Sequence, residues 1–246
     1  MAHLFHVMQT NENQDSDDGE AQAWEKGCAN DTIRNDFIIP HLAELVESER
    51  PSRILDLGTG TAYILRKVDE KLSYRPEWFA LDHSDERLKL AQALKRPDMN
   101  LRLILSSIDT DMCKFAPIDL VSIIFTLLEL PDPFFVISSI SVMLRPGSIL
   151  VIVVPDVWRD AFQMNGQTSG SANALLEGGI DLAKIDKFTG QPYPFHARRI
   201  EHLIASVLDR SFALEALKQG GKSGEVFLMV FRKLADSPFR DDRNAR

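Results

Sequence analysis

The stretch Arg53-Ile54-Leu55-Asp56-Leu57-Gly58-Thr59-Gly60-Thr61-Ala62-Tyr63-Ile64-Leu65 decides the fold of this chain. It opens with an apolar run, turns on two glycines, and continues with apolar residues at helical spacing. This pattern predicts a strand, a tight turn and a helix. Glycine lets a ligand approach the main chain closely, and a helix N-terminus has free N–H groups. We therefore expect the turn to hold a nucleoside-containing cofactor.

Composition narrows the kind of protein around this turn. The net charge of −8 provides no basic field, so we expect no nucleic-acid partner and no membrane binding. The two cysteines, Cys28 and Cys113, lie far apart and match no metal-ligand spacing, so we expect free thiols and no metal. The N-terminus lacks the pattern of a signal peptide, and no apolar run reaches the roughly 18 residues of a membrane span. These features indicate a cytoplasmic protein.

The pattern changes several times along the chain, which predicts one large domain with additions. Four parts follow from these changes: a disordered acidic segment 1–20, an N-terminal helical cap 21–50, an alternating β/α domain 51–234 with a lid-like insertion 156–197, and a polar tail 235–246. Pro40 should kink the cap or start a second helix there. The insertion is rich in glycine, serine and other loop residues.

Regular alternation of strands and helices runs from residue 51 onward. Such alternation implies a parallel sheet with helices on both faces. The end of the chain predicts an antiparallel hairpin. The predicted strands are Arg53–Leu57, Trp78–Asp82, Leu101–Leu105, Leu120–Ile124 and Ile149–Val154, and the hairpin spans 212–218 and 225–231.

The turn after the first strand distinguishes two kinds of cofactor. The dinucleotide fingerprint needs a small residue three positions after its second glycine, and Tyr63 stands there. The spacing Asp56-x-Gly58-x-Gly60-x-Ala62 instead resembles motif I of the class I S-adenosylmethionine-dependent methyltransferases. In that motif Ala62 replaces the usual third glycine, which is a small change.

This resemblance continues for about 180 residues. Asp82, at the end of the second strand, matches the family's ribose-binding carboxylate. His83 matches the family's residue that lies near the adenine. Ser107 stands where the family often has an acidic adenine contact, although Asp109 is an alternative. The segment 143–150 resembles the turn before strand 5. The resemblance implies an α/β, Rossmann-like fold whose seven-stranded, mostly parallel sheet ends in the antiparallel hairpin.

Family and chain together suggest a set of cofactor-binding residues. S-adenosyl-L-methionine would be the cofactor and S-adenosyl-L-homocysteine the product. Two residues of the cap could reach the ligand, although packing for Trp24 and solvent exposure for Arg34 are the alternatives. The expected set is Asp56, Gly58, Thr59, Gly60, Asp82, His83, Ser107, Ile108, Phe125, Trp24 and Arg34.

The sequence specifies the methyl acceptor less well than the methyl donor. The segment after the fourth strand lacks the motifs of amide and cytosine methyltransferases, and the chain looks most like the ubiquinone/menaquinone-biosynthesis-like small-molecule methyltransferases. We expect transfer to an oxygen or nitrogen atom of a metabolite. Tyr193, His196 and Trp158 are the expected substrate contacts. His196 is the first candidate for a catalytic base, ahead of Glu129 and His83, although it could belong to an ordinary capping loop.

Two other functions agree with the same residues. One is a regulatory protein that binds S-adenosylmethionine without turnover, and the other is a protein or RNA methyltransferase. The sequence leaves open the acceptor atom, the need for a base, the mobility of residues 156–197 and the oligomeric state, with a homodimer as one alternative.

Overall fold

The computed structural model of the chain describes residues 14–108, 117–157 and 180–235. Within these ranges a seven-stranded sheet has the order β3-β2-β1-β4-β5-β9-β8. Strands β1 to β5 run parallel, and β9 is antiparallel to both β5 and β8. The strands are β1 Arg53–Leu57, β2 Glu77–Asp82, β3 Leu101–Leu105, β4 Ile118–Ile124, β5 Leu144–Pro155, β6 Ile180–Ile185, β7 Pro192–Ala197, β8 Phe212–Gly220 and β9 Val226–Lys233. The predicted fold class is confirmed.

Apolar side chains on alternate sides of the strands build a core on each face of the sheet. Leu55 and Leu57 of β1 contribute to one core, and Ile54 contributes to the other. The helices that cover the two faces are α1 Gln14–Asn30, α2 Ile39–Glu49, α3 Tyr63–Asp69, α4 Asp85–Leu94, α5 Pro133–Met143 and α6 Ile200–Leu208. Burial on both faces explains why the central strands are continuous apolar runs.

The N-terminal cap extends further than the sequence predicts. Helix α1 begins at Gln14, so residues 14–20 are helical, and the prediction of disorder is wrong for them. Composition misses this because the helix is held by ion pairs: Glu20 contacts Arg87 on α4 at 2.8 Å. A π-helical segment, Ile33–Ile38, leads directly into α2, whose first turn contains Pro40. Proline therefore starts a second helix, as one of the two alternatives predicted.

The insertion also contains regular structure. Strands β6 and β7 form a two-stranded antiparallel hairpin, where the sequence predicts loops. Pro192 and Pro194 explain why the sequence does not predict β7 as a strand, since proline is unfavourable in a central strand. It is tolerated in an edge strand such as β7. Asp186 closes the hairpin by accepting hydrogen bonds from the Phe188 and Thr189 backbone N–H groups, at 2.9 and 2.7 Å. Residues 158–179 and the polar tail from residue 236 lie outside the described residues.

Strand β5 also differs from its predicted start at Ile149. It begins at Leu144 and runs through the predicted turn 145–148, with a shift of register against β4. None of the helices in the described ranges is long and apolar enough to cross a membrane.

Candidate active site

A cavity of about 480 Å³ lies at the carboxyl ends of the parallel strands. Its walls come from the ends of β1 to β4, from helices α1 and α4, and from the β6–β7 hairpin. The chain order of the sheet reverses between β1 and β4, and open α/β sheets bind ligands at such a point. The lining residues are Glu20, Trp24, Gly58, Asp82, His83, Arg87, Ser106, Ser107, Ile108, Ile124, Phe125, Thr126, Glu129, Leu130, Asp186, Thr189, Gln191, Tyr193 and Pro194.

The turn after β1 is held tightly against β2. The backbone N–H groups of Gly58 and Thr59 both donate to the carbonyl of Leu81, at 2.8 and 3.0 Å. Gly58 has φ +74°, and a Cβ there would lie 2.3 Å from the Thr126 side chain. Ala62 has φ +53°, a left-handed conformation that explains why glycine is usual at this position.

Asp82 presents a fixed carboxylate to the cavity. Its side chain is buried, and its two oxygens accept hydrogen bonds from Gly60 N–H at 2.6 Å and Ser84 N–H at 2.9 Å. A carboxylate has about four acceptor positions, so two remain for a ligand. Ser84, rather than Asp82, caps helix α4. His83 is exposed and also lines the cavity.

Asp56 lies beneath the turn rather than on the cavity wall. Its carboxylate accepts a hydrogen bond from Ser122 of the adjacent strand β4 at 2.6 Å. Complete burial raises the pKa of Asp56 to about 6, although the Ser122 hydrogen bond opposes the rise. The contribution of Asp56 to the site is therefore support of the turn.

The two predicted residues of the cap have different positions. Trp24 lines the cavity, and its ring lies 4.3 Å from the Arg87 guanidinium. Arg34 is buried and does not line the cavity. It pairs with Asp31 at 2.5 Å and stacks on Phe125 at 4.8 Å. The interpretation of Arg34 as solvent-exposed is wrong, because Phe125 and Phe188, far away in the sequence, help to bury it, and its contact with a ligand stays a prediction.

The ends of β3 and β4 supply further predicted contacts. Ser107 and Ile108 line the cavity, whereas Asp109 is outside the described residues. Phe125 also lines the cavity and has φ +61°. Such a conformation is unusual for a bulky residue and is often found at functional sites.

The hairpin separates two residues that were predicted to act together. Tyr193 lines the cavity, but His196 does not. By strand alternation His196 shares a face of β7 with Pro194, which lies two residues earlier and lines the cavity. His196 itself is not part of the lining, and its catalytic role stays a prediction. Trp158, the third predicted substrate contact, lies outside the described residues.

Glu129, a less favoured base in the sequence, does line the cavity. It ends a short 3₁₀-helix, Leu127–Glu129, that follows β4. Burial raises the pKa of Glu129 to about 7. The charges of Arg87 and Arg34 oppose this rise, and those of Asp186 and Asp82 add to it. The available signal was a single carboxylate within the apolar segment 125–130. Over the residues with described positions, no group of three or more His, Cys, Asp or Glu could hold a metal ion.

Comparison with known families gives one match. Residues 48–212, more than half of the chain, match the family model described as "Methyltransferase domain". No curated protein sequence matches the chain significantly.

Several solved structures share the fold. A Listeria monocytogenes protein classed as an S-adenosylmethionine dependent methyltransferase has a TM-score of 0.61 at 14% identity, covering 79% of this chain and 97% of that chain. An S-adenosylmethionine-dependent methyltransferase from Clostridium acetobutylicum has a TM-score of 0.57 at 14% identity, covering 87% and 92%. The N-methyltransferase NodS from Bradyrhizobium japonicum, in complex with S-adenosyl-L-homocysteine, has a TM-score of 0.58 at 15% identity, covering 89% and 97%. These likenesses concern the fold alone.

Proposed function

Because the chain belongs to the methyltransferase-domain family, we propose that it is an enzyme that transfers a methyl group from S-adenosyl-L-methionine to an oxygen or nitrogen atom of a small-molecule metabolite. The observation that carries the proposal is the joined unit of the Gly58–Gly60 turn and Asp82 at the mouth of the cavity. S-adenosyl-L-homocysteine is the second product.

The residues of the cavity fit an adenosyl group. Asp82 offers its remaining acceptor positions to the two ribose hydroxyls. Because Gly58 has no side chain, the ligand can approach the main chain of the turn closely. Ile108 and Trp24 add apolar and aromatic surface that suits a purine ring.

The bound donor supplies an electrophilic methyl group on a sulfonium. Transfer of such a group is an in-line displacement, in which the protein mainly positions the acceptor and excludes water. Trp24 from the cap and Tyr193 from the hairpin both form part of the cavity wall, which suits both tasks.

The proposal of a small acceptor rests on size and charge. A cavity of about 480 Å³ is within the usual range of small-molecule sites. The net charge of −8 does not favour an RNA substrate. NodS, an N-methyltransferase of similar fold, is consistent with keeping nitrogen among the acceptor atoms.

Two measurements test the proposal. Calorimetry should detect binding of S-adenosyl-L-homocysteine, and incubation of metabolite extracts with methyl-labelled donor should give a labelled small molecule. Absence of binding would contradict the proposal. Binding without any transfer would instead support the regulatory alternative, and label in protein or RNA would support the macromolecular one.

A further inference from the structure

We propose that Glu129 accepts the proton in this transfer and that the methyl acceptor is a primary or secondary amine. This inference rests on the proposed function and specifies the substrate class of the same cavity. Three features support it: the position of Glu129, the state of its carboxylate, and the charges around it.

Glu129 stands where donor and acceptor sites meet. Its 3₁₀-helix is separated from the end of β4 by two residues, and the backbone N–H of Glu129 donates to the Thr126 carbonyl at 2.9 Å. Thr126 in turn packs against Gly58 of the cofactor turn. Tyr193 and Asp186 of the hairpin line the same cavity. The carboxylate therefore lies between the predicted donor site and the hairpin.

The Glu129 carboxylate is available for a ligand. Among the described residues, no hydrogen bond or ion pair engages its oxygens, whereas the other acidic residues of the cavity are held. Asp82 accepts hydrogen bonds from the Gly60 and Ser84 N–H groups, and Glu20 forms an ion pair with Arg87. Asp186 accepts a hydrogen bond from the Phe188 N–H in the hairpin turn. A half-buried carboxylate without such a partner is unfavourable unless a ligand supplies one.

The charges around Glu129 favour a cationic ligand. The described lining includes four carboxylates but only one guanidinium, that of Arg87, together with the exposed His83. Two cations that lie outside the lining, the buried Arg34 and the exposed Lys187, both pair with the carboxylate of Asp31. The lining itself therefore keeps an excess of negative charge. This excess of negative charge stabilises an ammonium and disfavours anionic nucleophiles such as carboxylates and phenolates. The lining carboxylates are Glu20, Asp82, Glu129 and Asp186.

The chemistry requires a proton acceptor because an ammonium has no free electron pair. Glu129 takes one proton from the ammonium, which leaves a neutral amine. The nitrogen lone pair then forms a C–N bond with the methyl carbon, while the C–S bond breaks and its electrons remain on sulfur as a thioether. The product is a methylated ammonium. A carboxyl whose pKa lies near neutral pH is suited to this exchange.

The test compares the wild-type protein with Glu129→Gln and with the control Glu70→Gln, whose exposed side chain pairs with Lys67 and does not line the cavity. Butylamine, phenethylamine and their N-methyl derivatives serve as amine probes, with butanol, phenol and phenylacetate as matched oxygen probes. Calorimetry measures binding of S-adenosyl-L-homocysteine, and then binding of each probe to that complex. Methyl transfer is followed with labelled donor from pH 5.5 to 10.

We expect transfer to amines and not to oxygen probes. Glu129→Gln should bind S-adenosyl-L-homocysteine within about twofold of wild type, lose amine binding to that complex, and lower kcat by about 10²–10⁴-fold at pH 7. Its rate should recover toward pH 10, where the amine loses its proton unaided. Transfer only to oxygen probes, absence of amine transfer by a protein that binds the donor product, or an unchanged kcat in Glu129→Gln would overturn the inference. If the wild-type protein does not bind S-adenosyl-L-homocysteine, the result contradicts the proposed function itself.

Discussion

The backbone N–H of Gly60 donates a 2.6 Å hydrogen bond to a carboxylate oxygen of Asp82, 22 residues later in the chain. This bond joins the glycine turn after β1 to the acidic end of β2. The two features that the sequence presents as separate signals are therefore one structural unit. A substitution at Asp82 should affect both the ligand contact and the shape of the turn.

Asp82→Ala should weaken binding of S-adenosyl-L-homocysteine by at least about tenfold, because it removes the acceptors for the ribose and releases the Gly60 and Ser84 N–H groups. Asp82→Asn keeps one side-chain oxygen and should lose less affinity. Calorimetry measures both. Equal affinity in Asp82→Ala and wild type would contradict the assignment.

Gly58→Ala should destabilise the fold and reduce cofactor affinity. The new methyl group would meet Thr126 and would also occupy a left-handed conformation that costs about 1–3 kcal/mol. Gly147→Ala is the matched control, because Gly147 also has positive φ but has no atom within 4 Å of the added carbon. Both variants should have a lower melting temperature than the wild type. Calorimetry should show weaker binding of S-adenosyl-L-homocysteine for Gly58→Ala alone. Reduced affinity in both would point to general destabilisation.

Glu25→Gln should loosen helix α1 from the cofactor turn. Glu25 accepts a hydrogen bond from Thr61 and pairs with the buried Arg66, each at 2.6 Å. Loss of this partner leaves a buried guanidinium and should cost about 1–3 kcal/mol in the free energy of unfolding. Urea denaturation measures the change. The exposed pair of Glu70 with Lys67 provides the control, since Glu70→Gln should change stability by no more than about 0.5 kcal/mol.

Asp56→Asn should alter how stability depends on pH. The pKa of Asp56 is about 6 in the folded protein, above its ordinary value of 3.8. The folded state therefore binds more protons between these values, and the wild type loses stability as pH rises through this window. Asn can still accept the Ser122 hydrogen bond but does not ionise. The melting temperature of Asp56→Asn relative to wild type should rise from pH 4 to pH 7, and a pH-independent difference would contradict the assignment.

Much of the sheet could be predicted because its signals are local. Strand β1 and helix α4 lie where apolar runs and an acidic helix start indicate them. The beginning of helix α1, residues 14–20, and the β6–β7 hairpin could not be predicted in the same way. Both are held by contacts with distant parts of the chain, such as Glu20 with Arg87 and Lys187 with Asp31.

The same division applies to the candidate site. Gly58 and Asp82 could be predicted, since each follows a buried strand and the carboxyl ends of parallel strands meet at one edge. Which of the two candidate bases, His196 or Glu129, lines the cavity could not be predicted. Which residues of β7 line the cavity depends on how the hairpin pairs and packs, and the loop after β4 has no repeating pattern that would show where Glu129 points.

The sequence by itself determined the alternating α/β fold and the turn that points to the methyl donor, because residue periodicity and glycine torsions act over a few neighbouring residues. Tertiary structure alone decided that Arg34 is buried with Asp31, that His196 does not line the cavity, and that Glu129 does. Asp31 and Arg34 are only three residues apart, but the burial of Arg34 by Phe125 and Phe188 depends, like the other two outcomes, on segments far apart in the chain. The physical reason is that desolvation and ion pairing belong to the assembled neighbourhood of a side chain, and no local stretch of residues contains that neighbourhood.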